Sequence, residues 1–575
     1  MWDGKTNKTV KRKNMKIVLT GFLLFFLSLA TVKAQSSAPE ASFSQVFKAT
    51  DKWLVLPVKN GAPKKNVELW IDGVEERWFD IELADGTPDW LAYIDISAWK
   101  GKEIELRVDK LSTASTAFHP IKQSNEDTNA GTLYGEKLRG QFHFSPKRGW
   151  TNDPNGLVYY NGEYHLFFQH NPYGVNWGNM TWGHAVSKDL IHWKELGDVL
   201  HPDHSGPMFS GGAVVDSNNT SGLGTTGKPA MVMFYTAARA WGQFLAWSTD
   251  GRTFKKLGHA VVPRINKDNR DPKVIWHAPT QKWVMVLWVE RDNGQHTIQF
   301  LTSPDLQHWT AVSAVKGGIG DDHYLFECPE FYELPVEGSK EKKWVLTAAN
   351  SQYAVGTFDG TTFMPEEERL NGQLGRDYYA SQTISDEPSG RRIEIGWWRT
   401  HTNKEGVSFN QSQSIPMELK LVRTAKGIRL SRTPVKELES LRGAAHSVNA
   451  GRLKEGDANP LANIQAGPVE IRTEIEPGKA KEVVLDIHGL AVTYDVSKQE
   501  LVIDGVRAPA PLIKGKLSLI IYADRIGVEV FTADGLLFMP VNVNIDSENR
   551  SLGLSVKGGT AALKNMTVYE LKSIW

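Results

Sequence analysis

The chain has 575 residues, which at roughly 150 residues per domain gives about four domains, reduced to two or three because single β domains run longer. Lys plus Arg and Asp plus Glu each number 66, so there is no broad basic field for nucleic acid or anionic membrane, and the expected partner is small or neutral. The single cysteine, Cys328, excludes an intrachain disulfide and a cysteine-based zinc site, while 20 Trp, 15 Tyr and 23 Phe suit both β-core packing and stacking on sugar faces.

Lys11, Arg12, Lys13 and Lys16 precede an apolar run from Ile17 to Ala30, and Val32, Lys33 and Ala34 place small residues at the two positions a signal peptidase reads. Residues 1–34 are predicted to be a secretory signal cut after Ala34, with Met15 as an alternative start. The run falls short of the roughly 20 residues that span a bilayer, which disfavours the competing reading of an uncleaved anchor. No cysteine follows it, so a bacterial lipid anchor is excluded. The expected mature protein is secreted or periplasmic with no stable membrane association, and its Cys328 needs a protected site.

From residue 36 to about 117 short alternating runs (WLVLPV, VELWIDG, RWFDIEL, WLAYIDI, EIELRV) punctuated by Gly, Asp and Pro predict an N-terminal β-sandwich. Residues 118–137, rich in Ser, Thr, Asn and Gly without an apolar period, read as a linker. Residues 138–432 carry an internal repeat: the turn "Ser, x, Asp, x, x, x, aromatic" recurs as SKDLIHW, STDGRTF and SPDLQHW, and more loosely as TFDGTTF. Five hydrophobic strands keep step with it: EYHLFFQ, AMVMFYT, KWVMVLW, KWVLTAA and RIEIGWW. A period of roughly 50–60 residues with several strands per unit predicts a five-bladed β-propeller. The repeat aspartates Asp189, Asp250, Asp305 and Asp359 are read as turn residues with no catalytic role. From 441 to 575 alternating runs return (VEIRTEIE, KEVVLDIHG, LAVTYDVS, LSLIIYADRIGVEVF), predicting a C-terminal β-sandwich with most acids on its wet faces.

Three segments place carboxylates in special surroundings. In GWTNDPNG, Asp153 precedes Pro154 and an expected tight Asn155-Gly156 turn before a strand from Leu157. In RDPKV, Arg270 would keep Asp271 ionised if the two side chains meet, although neighbours in a regular strand point to opposite faces. In LFECPEFYEL, apolar neighbours would raise the pKa of Glu327, as a general acid requires, and spacing does not choose between Glu327 and Glu330. Two carboxylates in contrasting environments are the parts of a glycoside hydrolase. Turn capping before proline and a structural ion pair are the alternatives.

At these three segments the sequence resembles glycoside hydrolase family 32, the β-fructosidases that include invertases, inulinases and levanases. The resemblance rests on WTNDPNG (Trp150 to Gly156) followed by FFQHNPYGVNWGNMTWGHAVSKDLIHW, on Arg270-Asp271-Pro272 and on Glu327-Cys328, in that order, and covers roughly Gln141 to Trp575. It implies that Asp153 is the nucleophile, Glu327 the general acid/base and Asp271 the transition-state stabiliser of a retaining reaction. It further implies a fructosyl pocket lined by Asn152, Gln169, Trp177, Phe209, Ser210 and Arg270, with Tyr379 and Trp397 as further candidates. Trp177 has blade packing as its alternative role. Thr151, Gly212 and Tyr378 depart from the family pattern without touching a catalytic carboxylate. The N-terminal module is extra to the minimal family architecture, and its role is open.

The expected activity is exo-removal of terminal β-D-fructofuranosyl units from levan, inulin or fructo-oligosaccharides, and from sucrose. Endo-action, a sucrose-preferring invertase, an arabinan-active inverting hydrolase and a non-catalytic carbohydrate-binding propeller are the alternatives. No cofactor or metal is expected: His165, His170 and His184 are spaced unlike a ligand set and are read as hydrogen-bonding residues.

Overall fold

The computed structural model describes residues 40–575 except 129, 403 and 405, so the predicted signal lies outside the described residues. Glu40–Lys48, Glu103–Ser112, Lys65–Ile71 and Val74–Ile81 pair in that order as one antiparallel sheet, which leaves Val74–Ile81 at an edge. Trp53–Val58 and Trp90–Asp95 belong to a second sheet. Because side chains alternate along each strand, Val67, Leu69 and Ile71 of the first sheet share a core with Leu54, Leu56 and Ala92 of the second. The stretch read as a linker adds to this module: Lys122–Ser124 pairs with Trp53–Val58 as a third strand. Its polar composition hid the strand, since an edge strand wet on one side needs few apolar residues.

Five sheets follow between Gly149 and Pro434. Each of the five hydrophobic runs lies in a different one of them, and Lys282–Glu290 is buried almost throughout because it is covered on both faces. The strands Gly149–Tyr160, Ala213–Asp216, Asp268–His277, Glu330–Pro335 and Tyr378–Thr383 pack successively, and the last returns to the first, closing a ring. The closure is hydrogen-bonded: Tyr159 N–H donates to Ser385 O and Ser385 N–H to Leu157 O, each at 2.9 Å. The fold is all-β, a propeller with flanking sandwiches. The four repeat aspartates each accept two successive backbone N–H groups, for instance Ile191 and His192 on Asp189 Oδ1 at 3.0 and 2.9 Å and Thr361 and Thr362 on Asp359 Oδ1 at 2.8 and 2.7 Å. They hold outer turns.

The C-terminal part has a seven-stranded and a five-stranded sheet around one apolar core that includes Ile471, Ile521, Val530, Leu485, Val492 and Leu554. Not all its acids are wet. Asp524 and Glu529 are buried because the outer face of Leu517–Asp524 and Gly527–Thr532 is covered by the propeller, where Tyr522 and Phe531 meet Phe142, Phe144 and Ile395. Both carboxylates bond the buried His143 ring, at 2.8 Å each. Burial alone would lower the His143 pKa, but these two bonds outweigh it and lift it to about 9.

Candidate active site

Asp153 sits inside the strand Gly149–Tyr160, not before it. Asn155-Gly156 is no turn: the strand runs through with register shifts on either side of Pro154-Asn155, and the shift lets Asp153 leave the pleat. Gly156 has φ of +51°, and a Cβ there would stand 2.9 Å from Phe167 Cδ2 and 3.0 Å from Trp182 Cζ3, so only glycine fits. Asp153 Oδ2 accepts from Ser210 Oγ at 2.6 Å, and Oδ1 from Asn152 Nδ2 at 3.1 Å. Asn152 is held in turn by Trp150 Nε1, 3.0 Å from its Oδ1.

A second irregularity solves the Arg270-Asp271 problem. The register of Asp268–His277 slips between Arg270 and Lys273, and Asp271 has φ of +63°, a costly conformation for a side-chain-bearing residue. The slip brings both side chains to one side, with Arg270 Nε 3.9 Å from Asp271 Oδ2. Arg270 serves Glu327 more closely, at 3.1 Å from Nε and 2.5 Å from Nη2 to Oε1, and also pairs with Asp268. The side chains do meet, and Arg270 acts in the expected direction of favouring the ionised Asp271, but it does not outweigh burial. Burial raises Asp271 most, Arg270 pulls it back, and the Glu327 and Asp153 charges add to the rise, leaving it at about 7.

Glu327 and Cys328 have φ of +56° and +40°, so adjacent side chains again reach one cavity. Glu327 is not in the apolar setting that its neighbours implied: besides Arg270, the Tyr379 hydroxyl donates to its Oε2 at 2.8 Å. The structure separates Glu327 from Glu330. Glu330 is buried at 1% exposure, ion-paired with Lys273 at 3.0 Å and bonded by Thr383 N–H and Oγ1 at 3.0 and 2.5 Å, a structural ion pair. Glu327 faces the cavity.

Asp153, Asp271 and Glu327 thus open on one cavity of about 270 Å³. The Cys328 thiol lies 3.5 Å from Asp153 Oδ2 and 3.4 Å from Asp271 Oδ2, and its N–H donates to Asp271 Oδ2 at 3.1 Å. Burial, followed by the Asp271, Asp153 and Glu327 charges, pushes the thiol pKa up and keeps it a neutral donor. Asp153 is raised by burial first, with the Glu327 charge adding, while Ser210, Asn152 and Cys328 pull it back. Asn152, Gln169, Trp177, Phe209, Ser210, Arg270, Tyr379 and Trp397 complete the walls, so the three carboxylates and the eight expected pocket residues line the same cavity. Gln169 Nε2 is fixed on Met208 O at 2.9 Å, and Trp397 Nε1 on Gln411 Oε1 at 3.1 Å.

Met180, Cys328 and Arg399 also line the cavity and were not singled out as site residues. Arg399 lies over the rings of Tyr379 and Trp397, at 4.3 and 4.6 Å. It stands two residues after Trp397, and a period of two was the available signal. The histidines are elsewhere engaged: His165 Nδ1 with His184 Nε2 at 2.9 Å, and His170 with Asp198 at 2.6 Å and Arg148 O at 2.8 Å. Among the described residues no group of three or more His, Cys, Asp or Glu is arranged to hold a metal ion, and no helix is long and apolar enough to cross a membrane.

Converging carboxylates on a propeller define a glycoside hydrolase class of site, and comparison with known proteins assigns the family. Residues 143–434 match the glycosyl hydrolases family 32 N-terminal domain. A levanase from Bacillus subtilis (strain 168) is 38% identical over 496 residues, 78% of this chain and 72% of that protein. An extracellular exo-inulinase from Aspergillus awamori is 30% identical over 520 residues, 77% of this chain and 96% of that protein. The crystal structure of exo-inulinase from Aspergillus awamori superposes with a TM-score of 0.69 at 29% identity, covering 77% of this chain and all of that one. The chain belongs to glycoside hydrolase family 32 and is an enzyme of that family.

Proposed function

We propose that the protein is a retaining, exo-acting fructan β-fructosidase that removes terminal β-D-fructofuranosyl units from levan, inulin and their oligosaccharides, and from sucrose. The observation that carries this reading is that three carboxylates, Asp153, Asp271 and Glu327, open on one cavity of about 270 Å³. Ser210 and Asn152 hold Asp153 in place, while Arg270 and the Tyr379 hydroxyl orient Glu327. Asp153 attacks the anomeric C2 of the fructosyl unit while Glu327 protonates the leaving oxygen. Glu327 then activates the water that releases fructose from Asp153. Such a double displacement requires carboxyl groups about 5–5.5 Å apart. Asp271 bonds the fructosyl hydroxyls, and these bonds tighten as oxocarbenium character develops.

Exo-action is favoured by the cavity's size, which lies just below the roughly 300–1,000 Å³ of common ligand sites and suits one terminal sugar. The relatives described as levanase and exo-inulinase support the substrate class. Each of the five sheets is read as one blade, with the site at the mouth of the channel they enclose. The signal-like residues 1–34 and the relative described as extracellular support action outside the cytoplasm.

The test is a time course on levan, inulin and sucrose with chromatographic separation of fructose from oligosaccharides. Free fructose alone from the earliest points is expected. Early oligosaccharides would replace exo- by endo-action, a large kcat/KM advantage for sucrose would mark an invertase, and no product from any substrate would overturn the reading.

A further inference from the structure

The N-terminal module grips the loop that carries Trp177. After the strand Glu163–Asn171 the chain runs through PYGVNWGNM before the next strand, Thr181–Ser187. Every residue of this loop is buried except Asn176 and Trp177, and Trp177 is 55% exposed at the cavity wall. Tyr173 and Val175 belong to the apolar core of the N-terminal sandwich, not to that of the propeller. Tyr173 stacks on Phe79 with ring centroids 3.8 Å apart.

On the other side of Trp177, Asn179 docks on the edge of the module's sheet. An edge strand presents unpaired N–H and C=O groups. The Asn179 side-chain amide satisfies both groups of Asp80, with Asp80 N–H donating to Oδ1 at 2.8 Å and Nδ2 donating to Asp80 O at 2.7 Å. Inside the loop, Asn171 Nδ2 donates to Asn176 O at 2.8 Å and Asn171 Oδ1 accepts from Tyr173 N–H at 3.1 Å. Only residues 176–178 lie between the two anchors, Val175 and Asn179. The indole itself has little to hold it, its ring contact being Phe209, edge-on at 6.1 Å. A half-exposed side chain on a loop keeps a fixed direction only when the loop's backbone is fixed.

We infer that the N-terminal module is a positioning element of the active site: Phe79 and the Asp80 backbone hold residues 173–179 so that Trp177 stands ready to receive the sugar. Asn179 is the positioning residue through which this acts. The inference rests on the fructosidase reading for its substrate, but the grip itself does not. It also means that the module is not a detachable binding unit, because removing it would uncover Tyr173 and Val175.

The experiment uses the full chain with Asn179→Ala, Trp177→Ala and the double variant. Hydrogen exchange over residues 172–180 reads the grip, and kcat/KM on sucrose and levan reads its consequence. In Asn179→Ala, exchange in this segment is expected to accelerate while the propeller strands keep wild-type protection. Its kcat/KM is expected to fall by about ten- to a hundredfold, as for a displaced positioning group. In the Trp177→Ala background the same change should cost less than about threefold, since a residue acting through another is non-additive with it. Unchanged exchange, or losses that multiply independently, would overturn the inference. If Asn179→Ala does not fold, Asn179→Asp, which keeps the acceptor for Asp80 N–H and loses the donor, supplies the same comparison. A wild-type protein that releases no fructose would sink the fructosidase reading, and exchange alone would then decide whether the grip exists.

Discussion

Replacing Asp271 by asparagine removes one of three carboxylates crowded on a single cavity while keeping an acceptor for Cys328 N–H. Asp271 is 5% exposed, and its pKa stands at about 7 against an ordinary value of 3.8. Between these values the unfolded chain has released the proton that the folded chain retains, so stability falls as pH rises, by about 1.4 kcal/mol per pH unit. Over the roughly three units concerned this reaches at most about 4 kcal/mol. An uncharged amide at this position carries no such penalty. The Asp271→Asn protein is therefore expected to gain stability relative to wild type progressively from about pH 4 to pH 7 and to hold that gain at higher pH, while losing nearly all activity. Denaturant melts of both proteins at pH 4, 5.5, 7 and 8 measure this. A stability difference that is flat across the series, or that shrinks toward pH 7, would refute the electrostatic account of the site.

Glu330→Gln should destabilise the fold by about 3–5 kcal/mol, because it leaves Lys273, 2% exposed, as an uncompensated buried charge; denaturant melts read this. Its folded fraction should keep far more fructose-releasing activity than Glu327→Gln. Removing the buried cation between Asp524 and Glu529 with His143→Gln should cost a similar amount below pH 6.5. Since the folded His143 pKa is raised to about 9, the wild-type advantage should be full below 6.5 and disappear as pH rises through 9. Native Cys328, 4% exposed with its thiol pKa pushed up, should resist iodoacetamide at pH 8 and react once the chain is unfolded, as intact-mass measurement would show.

The all-β architecture was legible because its signals are local: alternation in the sandwiches, and a turn that recurs every 54 to 61 residues in the propeller. The cavity was legible through motifs, which name residues without explaining how adjacent side chains converge. Regular pleating would send Arg270 and Asp271, or Glu327 and Cys328, to opposite faces. Left-handed backbone at Asp271, Glu327 and Cys328 overrides the pleat. The same limit turned Asn155-Gly156 into an expected turn where the strand in fact continues. Choosing Glu327 over Glu330 needed Lys273, which lies on a different blade strand from Glu330, to reveal itself as a buried partner. The docking of Asn179 on Asp80 spans 99 residues and leaves no trace in composition or period. Contacts of this range depend on how separately formed sheets meet.

The central claim is that Asp153 opens the glycosidic bond in this cavity. The most direct measurement is fructose release from levan and sucrose by wild-type protein and by Asp153→Asn protein of equal thermal stability. The account requires release by the wild type and a loss of about a thousandfold or more in the variant, the scale of removing a nucleophile. Undiminished release by Asp153→Asn would contradict it.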